Sequence, residues 1–145
     1  MTPADVVRQV LIDGGIGAEP GGASVVWPVY AKKEPSMPDD CITVFNGPGT
    51  DDGRTHVDGV MQGLYSFQFR IRSADADDGW NKATEIMDYI SSNVLRQRIT
   101  VGGESWFVQC FSSIGNVIDI GDEAPNSARR VHTLNATSFI QQCGA

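Results

Sequence analysis

The sequence predicts an α+β fold, a mostly antiparallel, mixed sheet with two helices packed on one of its faces. Three observations predict it. Segments of alternating polarity come in groups, parted by short glycine-bearing turns. Two segments, and only two, carry apolar residues at spacings of three and four. The order that results is helix, two strands, a third strand, helix, then three or four strands. A chain of 145 residues fits a single domain, 1–145, with a core of its own.

The first helix starts at Thr2-Pro3, with the hydroxyl as cap and proline where a missing N–H costs nothing. Val6, Val7, Val10 and Leu11 form its apolar stripe, and Gly14-Gly15 ends it. Residues 14–22 are a glycine-rich connector. Residues 24–30 (SVVWPVY) read as a strand, with Pro28 marking an edge or a bulge. A polar loop over 32–39 leads to a second strand, 41–45 (CITVF). Residues 46–59 hold four glycines and a proline among polar residues and predict a long exposed loop.

Residues 63–72 (GLYSFQFRIR) alternate cleanly. Tyr65, Phe67, Phe69 and Ile71 share one face, and Leu64, Ser66, Gln68, Arg70 and Arg72 share the wetter one. Ser73 is placed to cap the second helix, with Asp75, Asp77 and Asp78 in its first turn, where the helix dipole favours negative charge. Trp80, Ala83, Met87, Ile90 and Val94 make its stripe. Strands are then expected over 98–101 and 105–111 around Gly102-Gly103, another over 117–120, an acidic turn over 121–128, and a last strand over 131–142.

Composition narrows the function. With 18 acidic against 11 basic residues, the formal net charge is −7. Gripping nucleic acid through its phosphates needs clustered Lys and Arg, so that class is disfavoured. Three cysteines (Cys41, Cys110, Cys143) without a CxxC pair, and two distant histidines (His56, His132), suggest neither a zinc knuckle nor a disulfide framework, and point to a reducing compartment. No signal peptide is read at the N-terminus, and no apolar run approaches the ~20 residues that span a bilayer. The glycosylation pattern at Asn135-Ala136-Thr137 carries little weight without secretion.

Motifs for chemistry are near misses. Gly15-Ile16-Gly17 opens like a dinucleotide fingerprint but follows a helix, and Pro20 stands for the third glycine. Residues 48–55 (PGTDDGRT) miss the P-loop, with Pro48 for the first glycine and Arg54 for the lysine. Asp75 to Gly79 approximates a calcium loop, but helix capping explains its aspartates. Cys110, in an apolar alternation, is expected in the core. His56 reads as a solvated loop histidine. No catalytic residue, cofactor or metal ligand is assigned.

One resemblance stands out. Pro38-Asp39-Asp40-Cys41-Ile42-Thr43-Val44-Phe45, a Gly/Pro-rich loop, and then Tyr65-Ser66-Phe67-Gln68-Phe69-Arg70-Ile71-Arg72 resemble the phage minor capsid and tail terminator family. The Asp-rich start of the following helix, with its Trp80-x-x-Ala83-x-x-Ile86 stripe, continues the likeness. Gly115 to Gly121 only approximates the family's closing turn. The resemblance implies a non-enzymatic virion protein at the head-proximal end of the tail, assembled in the host cytoplasm. It would form a ring, a hexamer in this family, that caps the tail tube and halts addition of the major tube subunit. It would also offer a joining surface to a head-completion or stopper protein. Genome DNA would pass its channel without specific binding, and no membrane is involved.

A ring closes when one patch binds a different patch on the next copy, and strand edges and loops supply such patches. The candidate interface residues are Asp51, Asp52, Arg54 and His56 in one loop, and Asp122, Glu123, Arg129 and Arg130 in the acidic turn. Arg54, Arg129 and Arg130 can pair with the acids across subunits; as solvated loop charges such pairs contribute at most ~1 kcal/mol. The alternatives are a head–tail connector or stopper of the phage neck, and, from another class, a small cytosolic ligand-binding or thiol enzyme domain. The last would use Cys41, Cys110 or a pocket beneath Trp27, Trp80 and Trp106, and would predict a fast-reacting thiol.

Overall fold

The computed structural model describes residues 2–21, 26–54, 61–123 and 129–142. Two helices, α1 (Pro3–Asp13) and α2 (Ala76–Ser92), accompany strands β1 (Val29–Ala31), β2 (Cys41–Arg54), β3 (Met61–Ser73), β4 (Gln97–Val101), β5 (Glu104–Asp122) and β6 (Arg130–Gln142). The strands form one sheet in the order β1-β2-β3-β6-β5-β4. Only β1 and β2 pair in parallel; the other neighbours are antiparallel. The chain is therefore the expected α+β fold.

Alternation makes the core. Val44 lies opposite Phe69, and Phe69 opposite Leu134; Phe67 lies opposite Ala136, and Ile42 opposite Ile71. All of these are buried, so the rows form one continuous apolar face. Each of the larger ones, Ala136 apart, contributes about 1.5–3 kcal/mol on removal from water. Helix α2 lies on this face over β3, β6 and β5. Helix α1 touches β1 and β2 but also β4, which stands at the far end of the strand order. A flat sheet cannot meet one short helix at both of its ends, so the sheet curls around the helices.

Several expectations change. The segment expected as a loop over 46–59 continues β2 as far as Arg54, paired with β3 through register shifts between Asn46 and Gly49 and between Asp51 and Gly53. The ladder of β3 and these bulges override a composition that disfavours strands. The strand expected over 24–30 is only Val29–Ala31, with 22–25 outside the described residues. The two strands expected over 105–111 and 117–120 are one, β5, whose register shifts absorb the Gly115-Asn116 break. Gly121 and Asp122, expected in a turn, close that strand; 124–128 lie outside the described residues. Between β4 and β5 the two-residue Gly102-Gly103 turn has φ of 58° and 82°, the left-handed pair that a tight hairpin needs.

The helix starts differ in detail. At α1 the Asp5 carboxylate accepts from the Thr2 N–H at 2.8 Å and from its hydroxyl at 3.0 Å. The Ala4 N–H donates to the Asn46 side chain at 2.9 Å, which ties this helix to β2. At α2 the cap is Asp75, accepting from Asp77 N–H at 2.9 Å, and not Ser73, whose hydroxyl accepts from Asp75 N–H at 3.1 Å. The buried stripe of α2 is Gly79, Ala83, Ile86 and Ile90: Ala83 and Ile90 are as expected, while Gly79 and Ile86 take the places expected for Trp80 and Met87. Gly79 takes the inward place because His132 lies against it, which leaves Trp80 at the rim, 46% exposed. Cys110, expected in the core, is exposed while Cys41 is buried. The register shift between Val108 and Phe111 reverses the alternation and turns Phe111 inward in its place.

Candidate functional site

At the end of the sheet where β3 finishes and β6 begins, arginines and carboxylates gather. Arg72 sits on the polar face of β3, yet is 1% exposed because the loop over 32–40 folds across it. Its guanidinium donates to the carbonyls of Pro35 at 2.6 Å, Pro38 at 2.5 Å and Asp39 at 3.3 Å. It also meets Glu34 at 3.3 Å and Glu123 at 3.5 Å. Arg70 pairs with Glu34 at 2.8 Å, and Arg129 with Asp39 at 2.8 Å and Glu123 at 3.5 Å. A planar five-donor fork suits several carbonyls at once, so Arg72 fastens the loop to the sheet.

The sequence-predicted residues fall at two ends. Asp122 closes β5, Glu123 follows it, Arg129 precedes β6 and Arg130 opens it. Within one chain Arg130 pairs with Asp122 at 3.1 Å, and Arg129 with Glu123 as above. Asp51, Asp52 and Arg54 lie on the far part of β2, which is strand and not loop. His56 lies outside the described residues. The two groups are thus on different strands at opposite ends of the sheet: Asp51 pairs with Gly63 near the start of β3, and Arg130 with Ser73 at its end.

Besides the outer borders of the edge strands β1 and β4, two further stretches of strand border carry no strand among the described residues. Strand β1 covers β2 only from Ile42 to Val44, where the Lys32 N–H makes a last bond to the Val44 carbonyl at 2.9 Å. Strand β4 covers β5 only from Glu104 to Val108, extended by the Arg96 N–H on the Gln109 carbonyl at 2.7 Å. Beyond, β5 runs on to Asp122 with Ile118 and Ile120 51% and 56% exposed. On the helix side, Trp80 meets the buried His132 ring edge-on at 6.0 Å, and His132 is the cross-strand partner of Asp119.

Sequence reasoning missed Arg72, Glu34, Asp39, Ile118 and Ile120. The isoleucines alternate around Asp119, which shows a strand but not which of its faces goes uncovered. The acids within 32–40 were the available sign that this loop answers the arginines of β3.

Of the two thiols named for the enzyme alternative, Cys110 is exposed and Cys41 is buried. Burial pushes the Cys41 thiol up to about 11, against a weaker pull from Arg72. A thiol held protonated is a poor nucleophile. Two surface hollows are lined by Ile16, Thr84, Asp88 and Tyr89 in one case and by Tyr30, Lys33, Glu34 and Pro35 in the other. Neither has cysteine or histidine among the described residues that line it. Among the described residues no group of His, Cys, Asp and Glu is placed to hold a metal ion, and no helix is long and apolar enough to cross a membrane.

A family model described as bacteriophage tail terminator protein matches residues 10–131. Among solved structures, a chain from a structure titled "Virion of native gene transfer agent (GTA) particle" is similar at 10% identity and a TM-score of 0.45, over 78% of each chain. No curated protein matches the sequence.

Proposed function

From the premise that this chain belongs to the bacteriophage tail terminator family, and so is a structural protein of the phage tail and the virion, we propose that it forms a closed ring, six copies in number, on the head-proximal end of the tail tube. The ring halts further addition of tube subunits and presents its other side to a head-completion or stopper protein. The observation that carries this reading is the family match over most of the chain. A closed ring needs two different patches facing opposite ways. Bare strand borders on β2 and β5, near opposite ends of the strand order, are of that kind.

The charged groups take their place as contact residues. Asp51, Asp52 and Arg54 belong to the far part of β2, and His56 follows them in the sequence. Asp122, Glu123, Arg129 and Arg130 belong to the opposite end, where the arginines already have partners within the chain. Such contacts steer and align copies more than they hold them. Loop 32–40, fixed by Arg72, gives that end a rigid shape for a partner.

Mass measurement in solution, with negative-stain imaging of the chain mixed with purified tail tubes, tests the reading. The expected result is a six-copy ring, free or seated at one end of each tube, and tubes that no longer lengthen when subunits are added. A chain that neither forms rings nor stops tube growth would overturn it. Capture by connector subunits and not by tube subunits would move the protein to the neck.

A further inference from the structure

We propose, building on the ring reading above, that neighbouring copies join by strand addition. The bare border of β2 beyond Val44 in one copy lies antiparallel along the bare border of β5 beyond Gln109 in the next. Each border has a short cover at one end only, β1 over 42–44 and β4 over 104–108. The rest of each strand has unpaired backbone N–H and C=O groups on one side among the described residues, and such groups are completed by another strand.

Polarity fits. Following the ladder from β2 through β3 and β6 to β5, direction reverses at each step, so β2 and β5 run oppositely. Rotation about a ring axis keeps the direction of strands that run along that axis, so in a ring with its strands so disposed β2 of one copy meets β5 of the next antiparallel. It would then extend the line of β4, which already pairs with β5 in that sense. The bare stretches are also offset along the strands. That of β2 lies beside the start of β3, and that of β5 beside the start of β6, which faces the end of β3. Closing a sheet on itself requires such a stagger, because the strands tilt against the axis.

The flanks fit as well. A strand laid beside residues 116–122 covers part of Ile118 and Ile120 and comes beside Trp80, whose ring meets His132, the partner of Asp119. These three large apolar side chains are otherwise about half exposed at one place. The register shifts in β5 and the acids Asp119 and Asp122 make the border a poor template for arbitrary strands. A partner has to match the bulges, which favours one register.

Hydrogen–deuterium exchange on the full chain, free and in rings formed alone or on purified tail tubes, tests this. Outward amides within 45–54 and 110–122 should exchange about tenfold or more slowly in the ring. The double variant Ile118→Lys with Ile120→Lys should melt like the parent, since both residues are exposed, yet assemble about tenfold or more weakly. Rings whose two borders exchange as fast as in the free chain would overturn strand addition and leave the ring reading standing. Protection of one border alone, or only where tube subunits touch, would assign that border to another protein and overturn the pairing of copies. A chain that forms no ring, alone or on tubes, overturns both.

Discussion

Arg72 lies on the polar side of a strand and is nonetheless among the largest fully buried side chains. Its alternation with Phe69 and Ile71 was plain in the sequence, but its burial was not, because that depends on a loop thirty-odd positions earlier folding across it. Removing a buried guanidinium leaves three carbonyls without their donor and the Glu34 carboxylate with Arg70 alone, and breaking such a set costs about 3–5 kcal/mol. We expect Arg72→Met to lower stability to denaturant by that order, with Arg72→Lys between it and the parent, since an ammonium cannot reach all three carbonyls. Loss below about 1 kcal/mol would mean that the loop is not held this way. The thiols make a second case at this scale. At mildly alkaline pH the exposed Cys110 should alkylate in the native protein, while Cys41, its thiol raised to about 11, should react only after unfolding. Peptide mass mapping separates the sites, and rapid labelling of Cys41 would contradict its burial.

At the scale of elements, helix starts and alternating strands were legible because their signals are local. Thr2-Pro3 opens α1, and the central alternation became β3, bounded by Met61 and Ser73. What was illegible depended on distant partners. The far half of β2 is strand because β3 pairs with it, against the preferences of Gly47, Pro48, Asp51 and Asp52. A bulge turned Cys110 outward, and His132 claimed the space beside Gly79. Of the candidate site, the charges at 122–130 were found as a group, whereas Ile118 and Ile120 were seen only as members of a strand. The capping of α1 allows a pH test. Burial acts to raise the Asp5 pKa, but the Thr2 N–H and hydroxyl and the Lys32 ammonium outweigh it, so the folded value is lowered. A lowered carboxylate stabilises the fold above its unfolded value, near 3.8, and loses that contribution as pH falls through the folded value. Asp5→Asn should therefore cost about 1 kcal/mol at neutral pH. The difference from the parent should shrink as pH falls below 3.8 and through the lowered folded value. Thermal melts across pH check this; a constant difference would sink it. At α2, a methyl on Gly79 would sit 2.8 Å from His132 Nδ1 and 3.2 Å from Ser73 Cβ. Gly79→Ala should therefore lower the melting temperature, by an amount matching about 1–3 kcal/mol, despite alanine's better helix propensity.

For the whole molecule the governing quantity is charge. Each copy carries a formal −7, and a ring multiplies it by the number of copies. Duplex DNA is bound without sequence preference by releasing counterions from its phosphates, which requires Lys and Arg set along its path. Here the arginines at the 122–130 end are engaged with carboxylates: Arg72 with Glu34 and Glu123, Arg129 with Asp39 and Glu123, Arg130 with Asp122. Those pairs use up cationic charge inside each copy and leave the acidic excess to set the field. Low ionic strength lengthens the reach of that field, so repulsion should be greatest where nonspecific binders hold tightest. The assembled protein should therefore fail to retard duplex DNA in low-salt electrophoresis or to change its polarisation. Adding salt should not reveal binding that dilute buffer hid. Retardation that weakens as salt rises would show a basic path through the ring, and the channel would then have to be lined by residues other than those that set the net charge.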